Sequence, residues 1–205
     1  MELEPGHVLS VERDGFKINK KKYFTPNYNF QYDMSEDEIV QETGRLLKDS
    51  VQKHLISDVP VGVMLSGGLD SSSIVALMAE IRGNSNFHTF GIAFEEESFD
   101  ESFYSNLVAK HVGTQHHQIN VSHKSIREYF EKYIGYIDEP YADGSAIPTF
   151  LLAKKAKEYV TVLLSGEGGD EVFAGYDTYA AFKVRKLYRY IPKYIRVEIL
   201  KNIIQ

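Results

Sequence analysis

Residues 59–73, Val-Pro-Val-Gly-Val-Met-Leu-Ser-Gly-Gly-Leu-Asp-Ser-Ser-Ser, hold the pattern from which the rest of the chain is read. Residues 61–65 are a short apolar run rich in β-branched side chains, the mark of a strand buried on both faces of a parallel sheet. Ile74, Val75, Leu77, Met78 and Ile81 recur at helical spacing directly afterwards, so residues 70–82 are expected as a helix. The turn between holds Ser66, Gly67, Gly68, Asp70, Ser71 and Ser72. Glycine lets the backbone turn sharply and approach an anion with no Cβ in the way. The free N–H groups of a helix start point at that anion and the macrodipole favours negative charge there. Serine hydroxyls add further donors. Strand, turn and helix start together make a phosphate cradle.

A Walker A loop needs Lys followed by Ser or Thr after its last glycine, and residues 70–82 contain no lysine. An acidic Asp70 in a phosphate site makes sense if a divalent cation stands between them, and Mg²⁺ takes one or two carboxylates together with phosphate oxygens. The same design recurs further along. Residues 160–164 read as a buried strand that runs into Ser165-Gly166-Glu167-Gly168-Gly169-Asp170-Glu171-Val172-Phe173 and a helix. Asp170 is placed to supply a second metal carboxylate opposite Asp70. Glu167, flanked by glycines, stands where a substrate's reacting end would approach. An acidic helix start, favoured by the dipole alone, accounts for Asp170 and Glu171 but not for the clustered glycines and the serine.

Between the two turns, strands are expected at 87–94 and 116–121, and helices from 98 to about 111, around 126–133 and over 146–159. The helix at 98 opens on a capping-box pattern, Ser98 to Glu101, with Phe103, Leu107 and Val108 on its apolar face. Strands alternating with helices give an α/β fold, a doubly wound parallel sheet with helices on both faces, Rossmann-like in type. Ligands then bind beyond the carboxyl ends of the strands. Upstream, Asp14-Gly15 between alternating segments signals a hairpin, and Ser35 to Glu38 is a capping box opening a helix whose apolar face holds Ile39, Leu46, Leu47, Val51 and Leu55. Residues 1–24, 25–34 and 35–205 are expected as a hairpin segment, a linker and the α/β domain.

With 43% hydrophobic and 25% charged residues the chain is of ordinary globular composition. A net charge of −6 without a basic cluster argues against a nucleic-acid partner. The chain has no cysteine, which removes disulfides, thiolate zinc sites and a cysteine nucleophile. No apolar run approaches a membrane span, and the first residues lack the basic and apolar regions of a signal peptide. A cytoplasmic enzyme is the expectation. Adjacent strand residues point to opposite faces, so His116 and His117 are not expected to share an ion. Residues 183–196 mix basic and apolar side chains and are read as a core-facing helix with a solvated basic side.

The string Ser-Gly-Gly-Leu-Asp-Ser-Ser at 66–72 resembles the pyrophosphate loop of the N-type ATP pyrophosphatases. Together with residues 165–173 it resembles the synthetase domain of glutamine-dependent asparagine synthetases, most strongly over residues 59–176. That resemblance implies that Ser66, Gly67, Gly68, Asp70, Ser71 and Ser72 hold the β and γ phosphates of ATP, and that Met64, Leu65, Ile92, Ser165 and Gly166 line the adenosine site. Asp70 and Asp170 would coordinate Mg²⁺, and Glu167 would serve formation of β-aspartyl-AMP and attack by ammonia. Asp100 matches an acidic position near the same site, with a first-turn helix charge as the equal alternative. The implied reaction has two steps: the aspartate side-chain carboxylate attacks the α-phosphorus of ATP, and ammonia then displaces AMP.

Residues 1–24 resemble only the last strands of the family's glutaminase domain. The family's nucleophilic N-terminal cysteine and its pyrophosphate-contacting lysine beyond the second motif are both missing from this sequence. A piece of an asparagine synthetase, inactive by itself and fed by a glutaminase domain or subunit, is the expectation. A relative with another acceptor, of β-lactam synthetase type, and a silent ATP-binding module are the alternatives. Ile191, Ile195, Ile199, Leu200 and Ile203 line one face of an expected helix starting near Pro192. Such a stripe must be buried, so residues 188–205 are expected to pair with a second copy or to be poorly ordered.

Overall fold

The Asp14-Gly15 signal is met by a hairpin in which β1 (His7–Val11) pairs antiparallel with β2 (Ile18–Lys22), Val8 opposite Lys21 and Leu9 opposite Lys20. This is a computed structural model, and it describes residues 2–15, 17–27, 33–139, 143–193 and 195. The chain forms two units, Met1–Gly44 and Arg45–Gln205. In the first, the hairpin is fastened at its open end by the Tyr23 N–H donating to the Gly6 carbonyl at 2.8 Å. The capping box also forms: the Glu38 N–H donates to Ser35 Oγ at 3.3 Å, and the Ser35 N–H to Glu38 Oε2 at 2.8 Å. It opens α1 (Glu36–His54). The expected linker falls partly on residues 28–32, outside the described residues.

The second unit is built on a parallel four-stranded sheet. In chain order it contains β3 (Val61–Met64), α2 (Leu69–Arg82), β4 (His88–Phe94), α3 (Ser102–Val112), β5 (Gln115–Val121), α4 (His123–Ile134), α5 (Ala146–Ala156), β6 (Val162–Leu164), α6 (Gly169–Phe173) and α7 (Asp177–Tyr190). The strand order is β5-β4-β3-β6. The chain thus winds outward from β3 through β4 to β5, then returns to lay β6 on the other side of β3. Winding reverses at β3, and the crevice of such a sheet opens between the carboxyl ends of the strands on either side of that reversal.

Alternation along β3 sends its side chains to two separate cores. Val63 and Leu65 meet Val75 and Met78 of α2, Ala109 of α3 and Val51 of α1. Met64, with Phe90 and Ile92 of β4, meets Leu152 and Ala156 of α5. Helices therefore cover both faces, as the sequence implies. Each of the fully buried Val63, Leu65, Val75, Met78 and Phe90 stabilises the fold by about 1.5–3 kcal/mol relative to exposure.

Four expectations need correction. Leu47, Val51 and Leu55 do face inward from α1 and its end, but Ile39 and Leu46 are exposed. The face α3 buries is Ser105, Ala109 and Val108, while Phe103 and Leu107 are exposed. Small residues are needed there because α3 comes within contact of the loop after β3. The 98–101 capping box does not form; Asp100 takes that role instead, as described below. Along α7 the side chains described are exposed, among them Phe182 and Val184, so this helix is not core-facing in the structure. It ends at Tyr190 ahead of Pro192, with Ile191 extended at ψ 128, as the residue before proline prefers; helical geometry resumes at Lys193, where the helix expected near Pro192 would begin. Residues 194 and 196–205, and with them most of the expected apolar stripe, lie outside the described residues.

Candidate functional site

Leu65 still holds the ladder, its N–H donating to the Phe90 carbonyl at 2.7 Å, and the loop begins at Ser66. Within the loop the serines bind each other and the backbone. The Ser66 N–H donates to Ser71 Oγ at 3.2 Å, the two hydroxyls lie 3.0 Å apart, and the Gly68 N–H donates to Ser66 Oγ at 3.2 Å. Ser71, only 7% exposed, also donates to the Gly68 carbonyl. Its hydroxyl is a brace that fixes the loop. No side chain caps α2 at Gly68, which leaves its first N–H groups to a ligand. Gly67 has φ 91, and a Cβ there would lie 2.5 Å from the Ser105 nitrogen and 2.6 Å from Tyr104 Cβ. Glycine is what lets the loop lie against the first turn of α3.

The second loop closes on the first. A Cβ on Gly166 would stand 3.0 Å from both Asp70 Cβ and the Ser71 nitrogen, and one on Gly169 would run into the Asp70 carboxylate. The two glycine-rich strand exits interlock across the reversal point, and the Asp70 carboxylate lies against the residue preceding Asp170. Between these loops, the ends of β3 and β4, and α5 lies a cavity of about 1190 Å³.

Eleven of the sequence-derived residues line it: Met64, Leu65, Ser66, Gly68, Asp70, Ser71, Ile92, Ser165, Gly166, Glu167 and Asp170. Three do not. Gly67 is turned under α3, and Ser72 has its hydroxyl buried without a partner. Asp100 is occupied in opening α3. Its Oδ1 accepts from the Ser102 and Phe94 N–H groups at 3.1 and 3.3 Å, and its Oδ2 from the Ser102 hydroxyl at 2.8 Å. The Ser102 hydrogen bonds, with a smaller one from Phe94, hold its carboxyl below the usual range. That is the local, helix-start role.

The sequence reading missed part of the wall. Thr149 and Leu152 of α5, with Pro148, close the side opposite α2, and Phe94 at the end of β4 is joined by Phe99 and Glu101 of the β4–α3 connection. Glu171 and Tyr176 join Asp170 at the other end, with the Tyr176 hydroxyl donating to Glu171 Oε1 at 2.8 Å. The helical spacing of Thr149 and Leu152 is the one signal in the sequence for the α5 wall. Asp70, Glu101, Asp143, Glu167, Asp170 and Glu171 all line the cavity, and no Lys, Arg or His does among the described residues. No group of three His, Cys, Asp or Glu side chains among the described residues is arranged to hold a metal by itself. His116 and His117 diverge, His116 Nδ1 lying 3.0 Å from Thr89 Oγ1 and His117 Nε2 2.9 Å from His88 Nδ1.

A loop that leaves helix N–H groups free, beside two carboxylates, can bind polyphosphate in company with a divalent cation, and Glu167 can accept a proton from a nucleophile. Asparagine synthetase (glutamine-hydrolysing) 1 of Bacillus subtilis is 37% identical over 97% of this chain and 31% of its own length. A Methanocaldococcus jannaschii protein, provisionally named asparagine synthetase (glutamine-hydrolysing) 2, is 40% identical over 95% of this chain and 38% of its own. The chain thus spans about a third of the length of these curated relatives. Among solved structures, the ammonia-dependent NAD synthetase of Campylobacter jejuni is 14% identical, with a TM-score of 0.43 over 70% of this chain and 61% of its own; the fold assignment rests on the strand order itself. The profile of the asparagine synthase family matches residues 42–202, and with the relatives it shows that the chain belongs to that family.

Proposed function

We propose that this chain forms the nucleotide-binding part of an ATP-dependent amidation ligase. The observation that supports it is the interlock of the two strand exits, which puts Asp70, Glu167 and Asp170 on one cavity with Met64, Leu65 and Ile92. In this reading adenosine lies against Met64, Leu65, Ile92, Ser165 and Gly166, and the phosphates point to Ser66, Gly68 and the start of α2. Ser71 braces that loop, while Gly67 and Ser72 act from behind it. The donor set fits Mg²⁺. Two acids with no third close by leave most of an octahedral shell to phosphate and water oxygens, the usual arrangement for this ion at a nucleotide. Bound there, it would supply neutralisation of the phosphate charge.

The residues present suit a two-step transfer. An acceptor carboxylate oxygen attacks the α-phosphorus, the bond to the β-phosphate oxygen breaks, and pyrophosphate departs from the loop. Held in line by the loop amides, the reactants gain from proximity and from charge neutralisation. Ammonia nitrogen then attacks the acyl carbon, Glu167 takes the proton it sheds, and the C–O bond to AMP breaks. Aspartate is the acceptor and asparagine the product in this proposal, through β-aspartyl-AMP. The names of the relatives support that choice and a glutaminase domain or subunit as the ammonia source. A second copy of the chain and a cytoplasmic setting complete the proposal; no helix among the described residues is long and apolar enough to cross a membrane. The test is product analysis of a full-length protein that contains this chain, supplied with Mg-ATP, aspartate and ammonia; the 205-residue chain alone is expected to form no asparagine. AMP, pyrophosphate and asparagine in equal amounts are expected from the full-length protein. Release of ADP and phosphate, or activation of other acids but not aspartate, overturns the corresponding part.

A further inference from the structure

The turn from α6 into α7 is strained without any gain in burial. Ala174 ends α6 at φ 58, ψ 42, the one non-glycine residue with positive φ among the described residues, in a region that L side chains enter at a penalty. The N–H groups of Ala174 and Gly175 both return to the Asp170 carbonyl, the second at 3.0 Å. Gly175 passes so close over Asp170 that a Cβ on it would fall on the carboxylate oxygen Oδ1. Tyr176 then turns into the cavity wall and donates to Glu171. Val172, Phe173 and Tyr176 all remain exposed, so the turn does not exist to fill a core. Strain that packing does not explain is characteristic of sites where geometry serves function.

We propose that Ala174, Gly175 and Tyr176 are positioning residues for Asp170, folding back over residues 170 and 171 to hold the Asp170 carboxylate in the cavity for a cation that arrives on nucleotide phosphates. The inference rests on the reading of Asp170 given above. Gly175 leaves the carboxylate the space it occupies; any side chain there displaces it or opens the turn. Tyr176 fastens the turn and keeps Glu171 on a neutral donor beside its acidic neighbour. That donor does not ionise near neutrality, because the hydrogen bond to Glu171, burial and the neighbouring charges push the phenol up to about 12.

Mn²⁺ is a spectroscopic stand-in for Mg²⁺, and binding of Mn-ATP and of adenosine to the chain reads position without any turnover. Gly175→Ala is expected to weaken Mn-ATP about tenfold, the effect of displacing one carboxylate by overpacking, with adenosine affinity unchanged. Tyr176→Phe removes one hydrogen bond and is expected to weaken Mn-ATP about threefold, with Glu171→Gln adding nothing further in the double variant. Equal losses for adenosine and Mn-ATP would mark a merely structural role and overturn the proposal, as would parent-like Mn-ATP binding by Gly175→Ala. If circular dichroism shows Gly175→Ala unfolded, Tyr176→Phe decides, and parent-like Mn-ATP affinity there overturns it. Asp170→Asn separates the two levels. Should it bind Mn-ATP like the parent, Asp170 is no ligand and both readings fall; should it bind weakly while Gly175→Ala does not, only the role of the turn is refuted.

Discussion

Gly67 and Gly68 stand side by side in the loop after β3, yet the structure demands glycine at only one of them for the fold. At Gly67, φ 91 lies in the left-handed region, where an L side chain costs about 1–2 kcal/mol. A Cβ would also stand 2.5 Å from the Ser105 nitrogen and 2.7 Å from the Tyr104 carbonyl carbon. Those are backbone atoms of α3, which cannot rotate aside, so the helix must shift, at about 1–3 kcal/mol for overpacking. Gly67→Ala is therefore expected to lose about 2–5 kcal/mol, or roughly 4–20 °C of melting temperature in a chain of this length. At Gly68 the backbone is extended (φ −68, ψ 167) and a Cβ meets only Ser66 Oγ, at 3.4 Å. Alanine is a poorer N-cap than glycine but restricts the unfolded chain, so Gly68→Ala should stay within about 1 kcal/mol of the parent. Its methyl group, however, enters the cavity wall where the proposed function puts the phosphates, so nucleotide affinity should fall while stability holds. Thermal melting with an ATP titration of both variants reads the contrast. Parent-like melting of Gly67→Ala, or an equal fall for both, would refute the close-approach argument.

Asp70→Asn and Asp170→Asn should each weaken Mg-ATP by at least about tenfold, the effect of losing 1.4 kcal/mol of cation attraction; calorimetry showing parent-like affinity in both removes them as ligands. In a full-length protein that contains this chain, Glu167→Gln should keep ATP binding and slow amide formation by about 10²–10⁴-fold, the usual contribution of a general base, and turnover within a few-fold of the parent would remove Glu167 from that role. Burial, then the facing His88, hold the His117 pKa below its ordinary value, and burial, then His117, do the same for His116. Both groups are thus bound neutral, so stability is complete above the unfolded value of about 6.5 and falls as acid drives protonation below it. His117→Phe, which keeps an aromatic ring against Phe90 and Tyr159, should flatten that acid loss in melting experiments between about pH 7 and 5; an unchanged slope counts against the assignment.

The scaffold of the site was legible because it is written in short-range patterns. The 61–65 run, the glycines at its end and the apolar periodicity of α2 agree with one another, and the first two of these signals recur around β6. Where the sequence misleads, a longer-range competitor decides. Ser-x-x-Glu occurs at residues 35–38 and 98–101, but only the first becomes a capping box. At the second, the N–H of Phe94 at the end of β4 reaches Asp100, and this tie across the connection moves the helix start to Ser102. Ser71 looked like a phosphate donor by type, whereas its burial and its bonds to Ser66 and Gly68 make it a brace. Thr149 and Leu152 belong to a stripe that any core helix would show; only the strand order reveals that one end of that stripe faces the crevice. The same limit explains α7, whose apolar residues have helical spacing but no covering surface among the described residues.

The charge of the cavity links these points. Six carboxylates line it without a basic side chain among the described residues, so a bare nucleotide would meet like charge throughout. In a partly enclosed site, where the effective dielectric is nearer 20 than 80, unit charges 4 Å apart interact by about 4 kcal/mol, far more than the adenosine contacts could offset over several pairs. Helix and loop N–H groups carry only partial charges, equivalent to about half a unit at the start of α2. In the proposed reading cations enter with the nucleotide to close that balance, and nucleotide affinity is then expected to follow divalent-ion concentration. It also gives the interlocking glycines a physical purpose. Gly166 and Gly169 let the second loop close directly on Asp70, and Gly175 lets the chain close on Asp170, so that each carboxylate is confined by backbone at the place where the proposed function puts the incoming positive charge.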